Sequence, residues 1–405
     1  MPYRSYRPAL GYGDGRPPDG AIRLMRVGVI APEFPPEVGG IQTYAFEFSQ
    51  ELARRGHAVT VFTVPHAEGE LTVPGLNVVP RLTLRRRLDR AILQDSSMDV
   101  WHVMNASYAW IALETEPVVI SVHGNDFLSP YIPLGRPDFN RLRGLWRLSP
   151  KIDTAIGRWR TKRFVRKGLP RAHHIMANSR YTEQILLKTY PACRGKTSAG
   201  MVGVAEDYFD SRRPPLVPGR EPHLITVCRL SEPRKNIDRV LYALARLKQR
   251  YAFSYTIIGD GYLRPTLQEL TCKLSLTRHV KFTGYLPKSE VMRSLAASDL
   301  FVLTSSTIAK SHEGFGIAYL EANACGTPVL AARLAGAAEA VQEGVSGMFV
   351  EQPTVAQITT ALDQFFSHKL KFDAEACRRF ARQFTWHNVV EHAVSHYRDP
   401  NCPSP

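Results

Sequence analysis

Short apolar runs of strand length alternate with helical segments along most of this chain, and they do so in two separate series. The first opens with Met25–Ala31 (MRVGVIA), passes through a glycine-bearing loop into a helix over Ile41–Arg55, and returns to a strand at His57–Val64. Further strand candidates are Val100–Met104, Val118–Val122 and His173–Asn178, with a helical run around Ser107–Leu113. The second series starts at Leu224–Val227. It continues through helix Asn236–Arg250, strand Tyr255–Ile258, helix Leu263–Leu274, strand His279–Phe282, helix Ser289–Ala297 and strand Phe301–Leu303. Continuous β-branched runs mark strands buried on both faces, which means parallel sheets with crossover helices. Between the series, Glu206–Pro222 (EDYFDSRRPPLVPGREP) has the proline and arginine content of an interdomain linker. The expected fold is α/β, with two Rossmann-like domains facing across a central cleft, and 405 residues suffice for two cores.

The formal charge of +15 calls for an anionic partner, and the candidates are nucleic acid, a phospholipid surface and a phosphorylated substrate. The charge is uneven. Arg141–Arg171 carries eleven Lys/Arg against the single acid Asp153, with Trp146, Trp159 and Phe164 among them. That pattern fits a solvated helix face, or an interfacial helix on anionic lipid with tryptophans at headgroup level. No DNA- or RNA-binding module surrounds it, so no nucleic-acid partner is expected. Met1–Leu24, rich in Gly, Pro, Arg and Tyr, reads as a disordered extension rather than a signal peptide. Six scattered cysteines without metal-ligand spacing read as reduced, mostly buried thiols of a cytoplasmic protein.

Ser311–Gly326 reads SHEGFGIAYLEANACG and lies between the strand-like Leu300–Leu303 and Pro328–Leu330. A strand, glycine turn and helix in that order present unpaired backbone N–H groups at the positive end of the helix dipole, which suits a diphosphate. Gly314 and Gly316 let the main chain approach a ligand closely. Glu321 lies about two turns beyond Glu313, so the pair could hold different ends of one elongated ligand. A carboxylate accepts two hydrogen bonds, which fits a vicinal diol. An ordinary loop with two solvated glutamates has the same spacing. The first strand of the second series leads into Arg229-Leu230-Ser231-Glu232-Pro233-Arg234-Lys235-Asn236. Fixed cations at Arg229 and Lys235 would meet the negative charge that grows on a departing diphosphate. They can replace a divalent metal, and the chain has no Asp-x-Asp pair, so neither metal nor cofactor is expected. Gly39-Gly40 and His123-Gly124-Asn125-Asp126 end strands where ligands collect in open α/β sheets. Phe127–Asn140 reads as a long loop.

EGFGIAYLEANACGTPV resembles the E-x7-E signature of retaining nucleotide-sugar glycosyltransferases with the GT-B fold, most closely glycosyltransferase family 4. The likeness runs from about Met25 to Tyr397 and includes the R-L…K-N step at Arg229–Asn236, the H-G-N-D turn and a final F-T-W helix. It departs from the family at Cys228, where glycine is usual, and at Gly336-Ala337-Ala338-Glu339, where G-G-x-x-E is usual. The resemblance implies a sugar transfer from a nucleoside diphosphate to a hydroxyl of a glycan or lipid-linked acceptor, with retention, in bacterial surface polysaccharide or glycolipid synthesis. His123, Arg229, Lys235 and Glu313 would be catalytic, with Gly40, Gly284, Gly314, Phe315, Gly316 and Glu321 on the donor and Gly39 and Asp126 on the acceptor side. The expected divisions are an extension (1–24), an acceptor domain (25–205), a linker (206–222), a donor domain (223–384), and a terminal helix and tail (385–405) returning to the first domain. A non-catalytic nucleotide-sugar or anionic-lipid binding protein would use the same architecture. The expected location is cytoplasmic, peripheral on the inner face of the plasma membrane if the basic stretch binds lipid.

Overall fold

The computed structural model describes residues 24–36, 39–65, 72–130, 150–211, 219–309 and 311–397. Two parallel sheets stand one after the other. The first contains β1 (Arg26–Ile30), β2 (Ala58–Phe62), β3 (Asn77–Val79), β4 (Val100–Val103), β5 (Val118–Val122), β6 (His174–Ala177) and β7 (Thr197–Ser198). The second contains β8 (His223–Val227), β9 (Ser254–Ile258), β10 (Val280–Gly284), β11 (Leu300–Leu303), β12 (Val329–Ala332) and β13 (Gly347–Val350). Their orders are β3-β2-β1-β4-β5-β6-β7 and β10-β9-β8-β11-β12-β13. Both reverse direction beside the first strand of the series, and that switch point opens a crevice at the carboxyl ends of the strands.

The central strands are buried on both faces, as their unbroken apolar sequences require: β4, β5, β6, β11 and β12 bury every residue. The helix Gly40–Arg54 lays Tyr44, Phe48 and Leu52 on the first sheet, a four-residue spacing that keeps one face inward. The segment at Ala106–Leu113 is a 3-10 helix with seven of its eight residues buried, not an amphipathic α-helix. Being apolar on every side, it gives periodicity nothing to read. Asn125–Leu128, where a long loop was expected to start, forms a short helix, and most of that loop lies outside the described residues.

The terminal helix Trp386–Ser395 leaves the second half of the chain and packs on the first sheet. Trp386, Val389, Val390, Ala393 and Tyr397 join one cluster with Val27, Val29, Phe48 and Val61. Full burial of a large apolar side chain contributes about 1.5–3 kcal/mol, so this cluster outweighs the one exposed bond from Arg55 to the His387 carbonyl. Gly203 is required here, because a Cβ would stand 2.6 Å from the Trp386 nitrogen. Of the basic stretch, the helix Pro150–Gly168 is described. It buries Gly157, Thr161, Val165 and Gly168 along one face, with Gly168 tight against Ala109. Its outer face exposes Arg158, Trp159, Arg160, Lys162, Arg163, Arg166 and Lys167.

Candidate active site

The loops after β8 and β11 are stitched together. Asn236 sits in the left-handed region at φ 56°, a conformation that asparagine tolerates better than other side chains. Its amide nitrogen donates to the Thr304 carbonyl (2.6 Å) and to Ser306 (2.7 Å), while the Ser306 N–H donates to the Arg234 carbonyl (2.7 Å). This fixes the 3-10 turn Pro233–Lys235 beside Glu313.

Glu313 is the electrostatic centre. Its Oε2 accepts from Lys235 Nζ (2.6 Å), Ser305 Oγ (3.0 Å) and Arg234 Nη1 (3.2 Å). Burial would raise its carboxyl pKa, but Lys235 and Arg234 overcome that and hold it at about 2. Arg234 also pairs with Glu232, which in turn lies 3.6 Å from the exposed Arg229. Lys235, expected at the diphosphate, donates to Glu313, and so does Arg234, which the sequence did not single out. Arg234 lies between residues that had been singled out, but nothing in a local pattern says that it points inward.

Arg229 reaches across to the first domain. A Cβ on Gly39 would stand 3.5 Å from its guanidinium carbon, and a Cβ on Gly40 would meet open space. The two glycines begin the Gly40–Arg54 helix. Beside the same loop, a cavity of about 360 Å³ is lined by Arg229, Glu232, Lys235, Asp238, Arg239 and Thr266.

The Gly314–Gly316 turn has a double duty. Gly316, at φ 90°, caps the helix Ile317–Ala324, and among the described residues none accepts a hydrogen bond from the backbone N–H groups of 314, 315 or 316. Gly314, however, is pressed against the first domain: a Cβ there would lie 2.5 Å from Asn178 and 2.6 Å from the His123 carbonyl. Phe315 contributes backbone only, since its ring packs on Phe384 in the core.

His123 Nε2 lies 3.1 Å from the Met104 carbonyl, so Nε2 carries the proton and Nδ1 is an acceptor. Burial lowers its pKa, and Tyr44 packs edge-on at 4.6 Å. Asp126, expected on the acceptor side, is buried beneath the His123 turn. Its two oxygens accept the His123 and Ala106 N–H groups at 2.9 Å each, so it braces the turn. His312, which the sequence did not single out, lies against Gly124 and edge-on to Tyr181, with its backbone N–H on Asn125.

Glu321 stands apart from Glu313. It bonds Tyr208, and burial pushes its carboxyl pKa up to about 7, with Glu47 and Asp207 adding to the rise and Lys288 opposing it. Lys288 bridges Glu47 (2.9 Å) and Asp207 (3.0 Å). Gly284 ends β10 at φ 75°, where its carbonyl accepts the Gly259 N–H. Glu339, in the loop that departs from the family wording, accepts the N–H groups of Arg180 and Tyr181 at 2.9 Å each. It thereby caps a helix of the opposite domain.

Two family profiles match this chain, one described as Glycosyltransferase Family 4 over residues 38–199 and one as Glycosyl transferases group 1 over residues 207–384. A GDP-mannose-dependent α-(1-6)-phosphatidylinositol monomannoside mannosyltransferase of Mycolicibacterium smegmatis is 28% identical over 362 residues, 82% of this chain and 87% of that protein. Among solved structures, sucrose-phosphate synthase from Thermosynechococcus elongatus superposes with a TM-score of 0.72 at 18% identity, covering 93% of this chain and 98% of that one. Anabaena HepE in complex with UDP-glucose does so with a TM-score of 0.65 at 17% identity, covering 92% and 99%. With both halves matched in order and the two-sheet architecture shared, the chain belongs to glycosyltransferase family 4 and has the GT-B fold.

Proposed function

We propose that this glycosyltransferase moves a sugar from a nucleoside-diphosphate donor to a hydroxyl of a lipid-linked or glycan acceptor, with retention and without a metal ion. The observation that carries the reading is Glu313, a buried carboxylate held ionised by Lys235 and Arg234 at the mouth of a glycine-capped helix. In this reading Arg229, Lys235 and the N–H groups of Gly314, Phe315 and Gly316 face the diphosphate. They act where negative charge grows as the sugar–phosphate bond breaks, so they favour the transition state over the ground state. Gly40 opens the opposite wall for the same phosphates, and Gly39 lies toward the acceptor. All three donors to Glu313 fall on Oε2, which leaves Oε1 for a sugar hydroxyl. His123 Nδ1 accepts from the sugar beside the reacting carbon. Glu321 holds the ribose diol, and the Gly284 loop holds the base.

Retention follows from attack on the leaving-group face. The acceptor oxygen bonds the anomeric carbon as the phosphate oxygen departs, and that oxygen takes the acceptor's proton. The mycobacterial relative named above uses GDP-mannose on a phosphoinositide, and HepE was captured with UDP-glucose. A hexose donor and a polyol lipid acceptor are the classes we assign. The outer face of the Pro150–Gly168 helix, with Trp159 64% and Ile156 48% exposed among basic residues, would rest on an anionic membrane at the cytoplasmic face. The test is a thermal-shift screen of GDP-, UDP- and ADP-sugars followed by NMR of the product. One donor should raise the melting temperature by mass action and yield an anomeric configuration matching its own. An inverted product, or no donor that binds, contradicts the proposal.

A further inference from the structure

The terminal helix carries a feature that sugar transfer does not use. His392 and His396 are four residues apart and so share one face, and that face meets His174, the first residue of β6. Ring nitrogens of the three lie within 4.8 Å of one another. His174 Nε2 and His392 Nε2 both reach Ser198 Oγ, at 2.8 and 2.7 Å. Among the described residues this group holds three imidazoles and no carboxylate. His174 is buried and the other two are half-buried.

We propose that His174, His392 and His396 form a site for a borderline transition-metal ion of the zinc class, which clamps the terminal helix to the first sheet. The chemistry of the donors selects the ion. Three neutral nitrogens suit Zn²⁺, Co²⁺, Ni²⁺ or Cu²⁺ and do not suit Mg²⁺ or Ca²⁺, which take oxygen ligands. Metal binding needs imidazole in its neutral form, with one ring nitrogen free of its proton to meet the ion. A water is available for the fourth position, and where a ring binds the ion through Nε2 its bond to Ser198 is given up.

The geometry also says what must move. His174 and His396 are stacked, with centroids 3.5 Å apart and planes 4° from parallel. A metal lies in the plane of each ring that binds it, so parallel stacked rings cannot share one. His396 must turn about its side-chain torsions, and the nitrogens must close from 4.8 Å to about 3.4 Å, the separation set by zinc–nitrogen bonds in a tetrahedron. Those movements fall to the half-buried side chains of His392 and His396.

The site is separate from the transfer chemistry. His174 begins β6, whereas Asn178 follows the end of that strand and touches Gly314. The metal therefore belongs to the opposite end of the sheet, with a structural role. It would tie residues far apart in sequence, adding to the apolar packing of Trp386 and its neighbours.

The untagged 405-residue chain, stripped with chelator and titrated with Co²⁺, tests this. One equivalent should bring up the ligand-field absorption of a nitrogen-rich tetrahedral centre, and Zn²⁺ should abolish it while raising the melting temperature. X-ray absorption of the zinc form should count three imidazoles. The double variant His392→Gln/His396→Gln, checked for a wild-type circular dichroism spectrum, should lose roughly a hundredfold or more in affinity. His387→Gln, on the same helix with its side chain 65% exposed, should bind like wild type. Absence of the Co²⁺ spectrum, a zinc site with fewer than three imidazoles, unchanged affinity in the double variant, or binding without a rise in melting temperature would overturn the proposal.

Discussion

Glu313 is a buried carboxylate held by two cations, Lys235 and Arg234. The E-G-F-G wording made Glu313 conspicuous, and its central position followed. Arg234 was hidden because a basic residue in a polar loop looks solvated until the fold turns it inward, where only 7% of it is exposed. Removing it by Arg234→Ala leaves the buried Glu313 with Lys235 as its one cation among the described residues. Breaking a buried pair of this kind costs about 3–5 kcal/mol, which urea unfolding would read as a matching loss of stability. Glu321 gives a pH signature. Its folded pKa of about 7 lies above the ordinary 4.5, so the folded chain holds a proton that the unfolded chain has already released. Stability from this group is full below about pH 4.5 and falls as pH rises through 7. A carboxylate that accepts from a diol must be ionised, so donor affinity should rise across the same range. Titration calorimetry at several pH values should show that rise in wild type and a flat profile in Glu321→Gln. For Asp126 the sequence showed a carboxylate at a strand end but not its partners, the backbone N–H groups of His123 and Ala106.

At the level of elements, the strands that bury both faces were legible because unbroken apolar runs have few other uses. β3 and β7 were not, since three and two residues at a sheet edge carry no period to detect. The loop after β8 was half legible. The R-L…K-N step made the loop conspicuous, but the left-handed conformation of Asn236, at φ 56°, was not read from it. Asn236→Gly should therefore keep the backbone while losing two hydrogen bonds. Asn236→Val should add strain of about 1–2 kcal/mol and displace Lys235 from Glu313. Thermal melts should rank wild type above the glycine variant and the glycine variant above the valine variant. The return of the terminal helix was readable from its F-T-W opening, but its partners were not. Trp386→Ala should cost about 3–5 kcal/mol, because it empties a buried indole site whose ring packs 5.0 Å from that of Tyr44.

Across the whole molecule, the two domains meet through contacts between distant segments. Glu339 caps a helix 159 residues earlier, Lys288 spans 241 residues to Glu47, and His312 fits over Gly124. No local pattern in a sequence reports such pairs, and this is why the two-domain cleft was legible while its closure was not. Lys288 holds Glu47, whose side chain is 7% exposed, so Lys288→Ala leaves a nearly buried carboxylate without that partner. The closed arrangement should loosen and admit water, which would raise the share of donor hydrolysed to free sugar relative to sugar transferred. Chromatography of both products measures that ratio directly. In the proposed function Arg229, Lys235 and Glu313 serve a single sugar–diphosphate bond. Turnover of the preferred nucleotide sugar by wild type, Arg229→Ala and Glu313→Gln, each shown to be folded, tests it most directly. In Arg229→Ala kcat should fall about a hundredfold or more, the size seen when one stabilising donor is lost at a developing charge. In Glu313→Gln it should also fall, because Lys235 loses the ionised carboxylate that positions it. Wild-type turnover in either variant would contradict the proposed function.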